Sequence, residues 1–282
     1  MFVFPQSNAM DATFRKLLTY SYNIVGSYED AKDLVQSTME KYITLDKRHI
    51  GHEVNYLIKT VINASINFKN RAEKQKGYGM WLPEPMATES PDLNLIKEQT
   101  ASYSLLVLME KLNAKERAVF ILKEAFGYSH DEIAEALDTT VENSRQLLAR
   151  ARKALDQTSV RADMPAQGVL EKYIQSIVDA DLDTLESLLV EDIRLMADGG
   201  RSVKVIAAVV QGKAAASQKL QQVYTLFLRD TDYSFTTINH QPAICFYKDG
   251  ALYNCHVLEI TADGRIGNIF SIVAPEKLRT IA

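Results

Sequence analysis

The chain has 282 residues, which at roughly 150 residues per domain suggests about two domains. A hydrophobic fraction of 46% and a charged fraction of 24% are ordinary for a globular protein and exclude a collagen, a coiled-coil rod and a mostly disordered tail. No apolar stretch approaches the roughly 20 residues that span a bilayer, so no integral membrane protein is expected. The balance of 32 Lys and Arg against 36 Asp and Glu gives a net charge of −4, which argues against coating nucleic acid by bulk charge but allows a locally basic reading surface.

Ser7, Asn8, Ala9 and Met10 resemble a cloning scar ahead of a native start, and residues 1–9 are set aside from fold reasoning. From Asp11 to about Lys76 apolar residues recur at three and four. They run from Phe14, Leu17, Leu18 and Ile24 through Ala31, Leu34, Val35, Met39, Tyr42 and Ile43 to Val54, Leu57, Ile58, Val61, Ile62 and Ile66. This spacing predicts a helical bundle over residues 10–76. Gly77, Gly79, Pro83, Pro85 and Pro91 then break the pattern, and residues 77–102 read as a linker.

Residues 103–157 are helical again. Ser129 with Glu132 three residues later forms a capping-box pattern, opening a short helix to about Leu137 whose inner face is Ile133, Ala134 and Leu137. A tight break at Asp138 and Thr139 leads into a longer helix to about Asp156, the arrangement of a helix-turn-helix. Acidic residues fill Tyr128 to Asn143, and Arg145, Arg150, Arg152 and Lys153 follow. Thr140, Glu142, Asn143, Arg145 and Gln146 suit base reading, whereas Arg150, Arg152 and Lys153 suit phosphate. A solvated helix with a basic C-terminal end would show the same pattern.

After a second linker at 158–165 the character changes to α+β over 166–282. A helix from about Gln167 to Leu189 precedes short strands, a helix from about Lys213 to Leu228, and alternating strands such as Tyr233 to Ile238, Ala243 to Tyr247 and Leu252 to Ile260. The only cysteines, Cys245 and Cys255, flank an Asp249-Gly250 turn signal. A two-residue loop there pairs Cys245 with Asn254 and Cys255 with Ile244, placing the thiols on opposite faces, reduced and structural. With no signal peptide, a reducing cytoplasm is the expected compartment.

The run Arg117 to Leu122, then Gly127-Tyr128-Ser129, Glu132-Ile133-Ala134, Leu137 and Arg145 to Arg152 resembles region 4 of bacterial extracytoplasmic-function sigma factors, the module that reads the minus-thirty-five promoter element. Ser144 departs from the small apolar residue usual there. Glu29 to Gln36 is similar to the family's region 2 helix that docks on core RNA polymerase. The resemblance assigns that contact to Asp30, Asp33 and Gln36, which share one helical face. Tyr56 to Asn67 resembles the helix that captures the melted minus-ten element. Tyr56, Lys59, Asn63 and Asn67 fall at its reading positions, with Tyr for the usual Trp and Asn67 for the usual Asp. An aromatic beside amide and cationic groups suits unstacked bases.

The order of elements after residue 165 is similar to the SnoaL-like cone carried by one subgroup of these sigma factors. Three short signatures resemble that subgroup: Trp81-Leu82-Pro83-Glu84-Pro85, Asp198-Gly199-Gly200, and Ala274-Pro275-Glu276-Lys277-Leu278, the last departing at Ala274 and Glu276. The resemblance implies two all-α sigma modules plus an α+β SnoaL-like regulatory domain. Core polymerase and promoter DNA are then the partners, with a small molecule as a candidate ligand of the cone. Trp81, Pro83, Pro85, Asp198, Gly199, Gly200, Pro275, Lys277 and Leu278 are the regulatory contacts, with Trp81 docking on the C-terminal domain. No metal cluster, cofactor or nucleophile constellation is read, and no enzyme is expected. Asp198, His240, Tyr253 and His256 are the residues an isomerase-like use of the cone would call on. The rival reading is a helix-turn-helix regulator with a ligand-binding effector domain.

Overall fold

A computed structural model of the chain describes residues 8–46, 50–74, 80–90, 93–155, 167–200, 202–205 and 209–281. Two expectations, the 158–165 linker and most of the first nine residues, lie outside this set. The chain divides into two compact units, residues 1–77, 92–101 and 108–157 in one, and 78–91, 102–107 and 158–282 in the other. The division cuts across the linker read from sequence: residues 78–91 and 102–107 belong with the C-terminal domain.

In the helical unit α1 (Asn8–Val25) packs against α2 (Tyr28–Thr44) and α3 (Glu53–Lys74). Sequence periodicity gave α1 one apolar stripe, yet every residue from Leu17 to Ser27 is buried. All-round burial is tolerated because the polar side chains are hydrogen-bonded, as buried polar groups must be. Ser21 bonds Ser65 on α3 at 2.9 Å, and the Thr19 hydroxyl takes the Ile96 N–H at 2.9 Å. Asn23 donates to the Gln99 carbonyl at 2.7 Å and accepts from the Ala101 N–H at 3.0 Å. Residues 93–101 are thereby fixed on α1. Ile43 and Val54, expected inside, are 56% and 45% exposed near helix ends.

The turn of α4 (Tyr103–Leu108) and a 3-10 turn at Met109–Lys111 lead into α5 (Ala114–Glu124), α6 (His130–Ala136) and α7 (Val141–Leu155). Both capping boxes form, Asn113 with Glu116 and Ser129 with Glu132. Asp138 turns the chain between α6 and α7 with φ 47°. Ile133, Ala134, Ala136 and Leu137 meet Leu147, Leu148 and Ala151 as the buried faces of the pair. The Ser144 hydroxyl, out of place in an apolar position, is satisfied by His130 Nδ1 at 2.9 Å. Burial, then the nearby cations Lys123, Arg145 and Arg152, hold the His130 pKa below its ordinary value.

The C-terminal unit is α+β. The helix expected over Gln167 to Leu189 is broken into α8 (Gln167–Val178) and α9 (Leu182–Leu188), because Ala180 turns at φ 57° and Asp181 caps α9 through the Thr184 N–H. Strands β1 (Leu189–Asp198), β2 (Val210–Gln211), β3 (Asp232–Ile238), β4 (Gln241–Lys248), β5 (Ala251–Ile260) and β6 (Ile266–Ile272) form one sheet in the order β2-β1-β6-β5-β4-β3. One pairing, β1 with β6, is parallel, whereas the run from β3 to β6 is antiparallel. One core cluster joins α8, α9 and α10 (Lys213–Val223) to the sheet, and a second joins Leu82 and Tyr103 to Cys245, Cys255, Phe270 and Leu278.

The cysteine register differs from the sequence expectation. Asp249 and Gly250 do form the two-residue loop, with Lys248 opposite Ala251. A bulge then shifts the ladder, so that Tyr247 faces Leu252 but Phe246 faces Asn254, and Tyr253 is the extra residue. One inserted residue moves every later side chain to the other face. Cys245 and Cys255 therefore oppose each other directly.

A buried network ties the early helices to α5. Glu110 accepts from Lys69 on α3 at 2.9 Å and from Arg117 on α5, and Arg117 Nε donates to the Asn23 carbonyl at 2.8 Å. Lys69 is 4% exposed and Arg117 fully buried. Glu110→Ala leaves two buried cations facing an apolar gap. It is expected to lower stability by about 3–5 kcal/mol, read as a shifted midpoint in urea denaturation followed by far-UV circular dichroism.

Candidate functional site

The basic face of α7 is built by its two-sided pattern. Ser144, Leu147, Leu148, Ala151 and Leu155 face inward, which leaves Glu142, Asn143, Arg145, Gln146, Arg150, Arg152 and Lys153 exposed on the other side. Thr140, just before the helix, accepts the Asn143 N–H at 3.1 Å, and Asn143 donates to the Thr139 hydroxyl at 2.6 Å. Arg152 pairs with Glu124 on α5 at 2.7 Å, while Gln146 bonds Glu142 at 3.3 Å. The eight residues singled out around this helix thus lie together and face solvent.

On α2, Ser27 caps the helix by accepting the Asp30 N–H, and Asp33 and Gln36 are exposed with Asp30 half-buried beside them. The minus-ten candidates on α3 are divided. Tyr56 is 37% exposed with its ring 6.1 Å from that of Tyr42, and Asn67 is exposed. Lys59 instead pairs with the Asp138 carboxylate, and Asn63 donates to the Ala136 carbonyl at 3.1 Å. Both partners sit at the α6–α7 break. The resemblance assigned Lys59 and Asn63 to reading positions, and here both are bonded to the second helical module.

The three short signatures meet in the C-terminal unit. The Asp198 carboxylate at the end of β1 accepts the Leu82 N–H at 2.7 Å, the Gly200 N–H at 2.7 Å and the Lys277 ammonium at 2.6 Å. Lys277 also donates to the Leu82 carbonyl and lies 4.5 Å from the centre of the Trp81 ring. Both charges are buried, at 3% and 5% exposure. One ion pair therefore satisfies both backbone groups of fully buried Leu82. Pro83 needs no such donor partner, having no N–H, and its carbonyl takes the Tyr103 hydroxyl at 2.7 Å. The Pro85 carbonyl accepts from Thr280 at 2.7 Å.

Gly199 and Gly200 are required by close approach. A side chain at Gly199 would strike the Val203 carbonyl, and Gly200 turns at φ 62°. Pro275 opens the short helix α11 (Pro275–Leu278), which brings Lys277 to the clamp and Leu278 to the buried cluster. Sequence reading missed Asn239, which turns at φ 46° between β3 and β4 and is fully buried. Its side-chain oxygen accepts the Met86 N–H at 2.8 Å, its N–H bonds the Met86 carbonyl at 2.9 Å, and its carbonyl takes the Tyr103 N–H. Gln241 accepts the Ser104 N–H at 2.7 Å. An asparagine in a tight turn is a legible signal, but its partners lie about 150 residues away.

Residues 102–155 match the family described as "Sigma-70, region 4". Curated relatives include the ECF RNA polymerase sigma factor SigJ of Mycobacterium tuberculosis, 27% identical over 72% of this chain and 68% of that one. A second, the probable ECF RNA polymerase sigma factor SigI of the same species, is 26% identical over 97% of this chain and 95% of its own. The crystal structure of M. tuberculosis SigJ aligns at TM-score 0.78 and 22% identity, covering 98% of this chain and 99% of that one, a likeness of fold. The chain is similar to extracytoplasmic-function sigma factors and carries a segment that matches sigma-70 region 4.

Of the residues an isomerase would call on, the side chains of Asp198 and His256 are engaged within the domain. Asp198 holds Leu82, and the His240 backbone N–H donates to Thr88 at 3.1 Å. His256 is buried against Phe246 and hydrogen-bonded to Tyr173 at 3.1 Å, and burial lowers its pKa to about 4. Tyr253, the bulge residue, lines a cleft with Arg229, Asp230 and Lys248. Among the described residues no cluster of metal-ligating side chains occurs, and no helix is long and apolar enough to cross a membrane.

Lys277→Met should free the Leu82 carbonyl and leave Asp198 without its cation, costing about 3–5 kcal/mol. The only tryptophan, Trp81, reports it: its emission should shift to the red, and protease cleavage within residues 78–91 should accelerate. His256 adds a pH dependence. The unfolded side chain takes a proton near 6.5 and the folded one only near 4, so stability is full above 6.5 and falls as pH drops through that window. The thermal midpoint should therefore fall between pH 6.5 and 4, and His256→Asn should flatten that slope.

Proposed function

We propose that this chain is a sigma factor that binds bacterial core RNA polymerase and directs promoter-specific initiation, and that its C-terminal domain regulates it within the same chain. The observation that carries the reading is the solvent-facing polar and basic surface of α7, held on a doubly capped helix-turn-helix in the segment that matches sigma region 4. Thr140, Glu142, Asn143, Arg145 and Gln146 read the duplex edge. Arg150, Arg152 and Lys153 meet phosphate. Asp30, Asp33 and Gln36 on α2 dock on polymerase, and Tyr56, Lys59, Asn63 and Asn67 take up the melted minus-ten strand. A protein with these partners works in the cytoplasm.

The contacts of Lys59 and Asn63 support a closed resting form. Single-stranded bases reach those side chains only after Asp138 and the Ala136 carbonyl leave. The pair is weak: Lys59 is 39% and Asp138 71% exposed, so it holds no more than about 1 kcal/mol. Polymerase and promoter binding exceed that readily, which suits a latch that opens on assembly.

The regulatory part acts through the clamped linker. Tyr173, Phe246 and His256 occupy the interior between α8 and the sheet, which favours regulation by chain contacts over regulation by a bound small molecule. No catalytic step is assigned to this domain. A chain stopped after Gln157 would retain Leu82 and Tyr103 without their partners, so point substitutions are the cleaner test.

In run-off transcription with core polymerase and a promoter pool, the full chain should give specific transcripts. Asp33→Arg should abolish core binding, and Asn63→Ala should weaken melting. Asp138→Ala should raise binding of a single-stranded minus-ten oligonucleotide by up to about fivefold. Specific duplex binding with no transcript and no core binding would instead favour a helix-turn-helix regulator.

A further inference from the structure

The bulge at Tyr253 brings the protein's two cysteines together. Cys245 on β4 and Cys255 on β5 are direct cross-strand partners, their sulfurs 3.6 Å apart and hydrogen-bonded. Directly opposed antiparallel residues lie about 4.5–5.5 Å apart at Cα, inside the range of about 4.4–6.8 Å that a disulfide spans. Both thiols are free, and both are buried, at 2% and 0% exposure. They belong to the cluster that contains Leu82 from the clamped linker, Tyr103 and Leu278.

We propose that Cys245 and Cys255 are a redox-active dithiol that a small hydroperoxide converts to a disulfide, with access controlled by the linker segment over it. The two sulfurs are unequal. The hydrogen bond between the two sulfurs holds the Cys245 pKa below its ordinary value, and the same bond, then burial, pushes Cys255 up. Cys245 is therefore the attacking sulfur. Its thiolate forms a bond to one peroxide oxygen as the O–O bond breaks, and the other oxygen takes a proton and leaves as water or an alcohol. Cys255 then attacks the sulfenic sulfur, the S–S bond forms and the S–O bond breaks, and hydroxide leaves with the Cys255 proton as water. Two thiols and one hydroperoxide thus yield one disulfide, one water and one water or alcohol.

Burial sets the condition for this step. A covered thiol is inert, so reaction proceeds through molecules in which the segment carrying Leu82 has lifted. The disulfide then changes what the segment returns to. The sulfurs draw together to about 2.0 Å, and in a close-packed cluster that contraction leaves neighbouring side chains without contact partners. The oxidised protein holds its linker less tightly, so oxidation is favoured by linker release and sustains it.

The test uses the full chain and hydrogen peroxide as probe. Native protein is treated, its remaining thiols are alkylated, and the digest is read by mass spectrometry. The expected result is one intramolecular Cys245–Cys255 peptide pair, two hydrogens lighter than the reduced peptides and restored by dithiothreitol, with a red shift in Trp81 emission. Cys255→Ser should stop at a sulfenic acid on Cys245 that a dimedone-type reagent traps. Lys277→Met, with a loosened clamp, should oxidise at least tenfold faster, and mild urea should do the same to the unsubstituted chain. Thiols that oxidise only in the unfolded protein, or disulfides that join two chains, would overturn the dithiol. An oxidation rate unmoved by both Lys277→Met and mild urea would overturn the linker's control of access.

Discussion

A segment laid across the face of a domain brings its backbone with it, and each N–H and C=O it buries needs a partner. At Leu82 that requirement falls on one ion pair. Asp198 accepts the N–H, Lys277 donates to the C=O, and each is the other's counter-charge. Removing two charges from water is expensive, and a buried pair is tolerable only when its remaining hydrogen-bonding capacity is filled. Here the Gly200 N–H and the Trp81 ring complete it. The tight turn at Gly199 and Gly200, the short helix after Pro275 and the proline at position 83 all follow from this one geometry. The Tyr103 hydroxyl then meets the carbonyl of Pro83, the next residue of the same segment.

The helical unit uses the same device in its interior and a weaker one at its surface. Glu110 stands between Lys69 and Arg117, nearly or wholly out of water, and breaking that set strands a charge. Lys59 and Asp138 are solvated, and their attraction is screened. The difference in environment separates structure from switching. The interior network links α1, α3 and α5 through Asn23, Lys69 and Arg117. The surface pair is within reach of a competing ligand.

Much of this was legible in the sequence because it rests on local rules. Asn113 with Glu116 and Ser129 with Glu132 announce helix starts through groups three residues apart, and both boxes formed. The apolar spacing of α7 fixes which side faces inward, so the exposed face of Arg145, Gln146, Arg150 and Lys153 follows without reference to any other element. Asp249-Gly250 closed the hairpin it signalled. Where local rules met a long-range contact they failed in informative ways. Helix α1 is buried all round because three other segments cover its polar side, and the 77–102 stretch reads as loose from its prolines and glycines although residues 80–88 are held by hydrogen bonds to the sheet domain.

The sequence by itself determined the helical modules, their caps, the exposed polar and basic face of α7 and the α+β character of the C-terminal domain. All of these depend on neighbours within a few residues. Tertiary structure decided which of those surfaces stay open, that Lys59 and Asn63 are covered, and that Asp198, Leu82 and Lys277 form one clamp. It also decided that Cys245 meets Cys255. Each of these turns on a partner far along the chain or on a single bulged residue, and neither the pairing of distant groups nor a one-residue slip of register leaves a periodic trace in sequence.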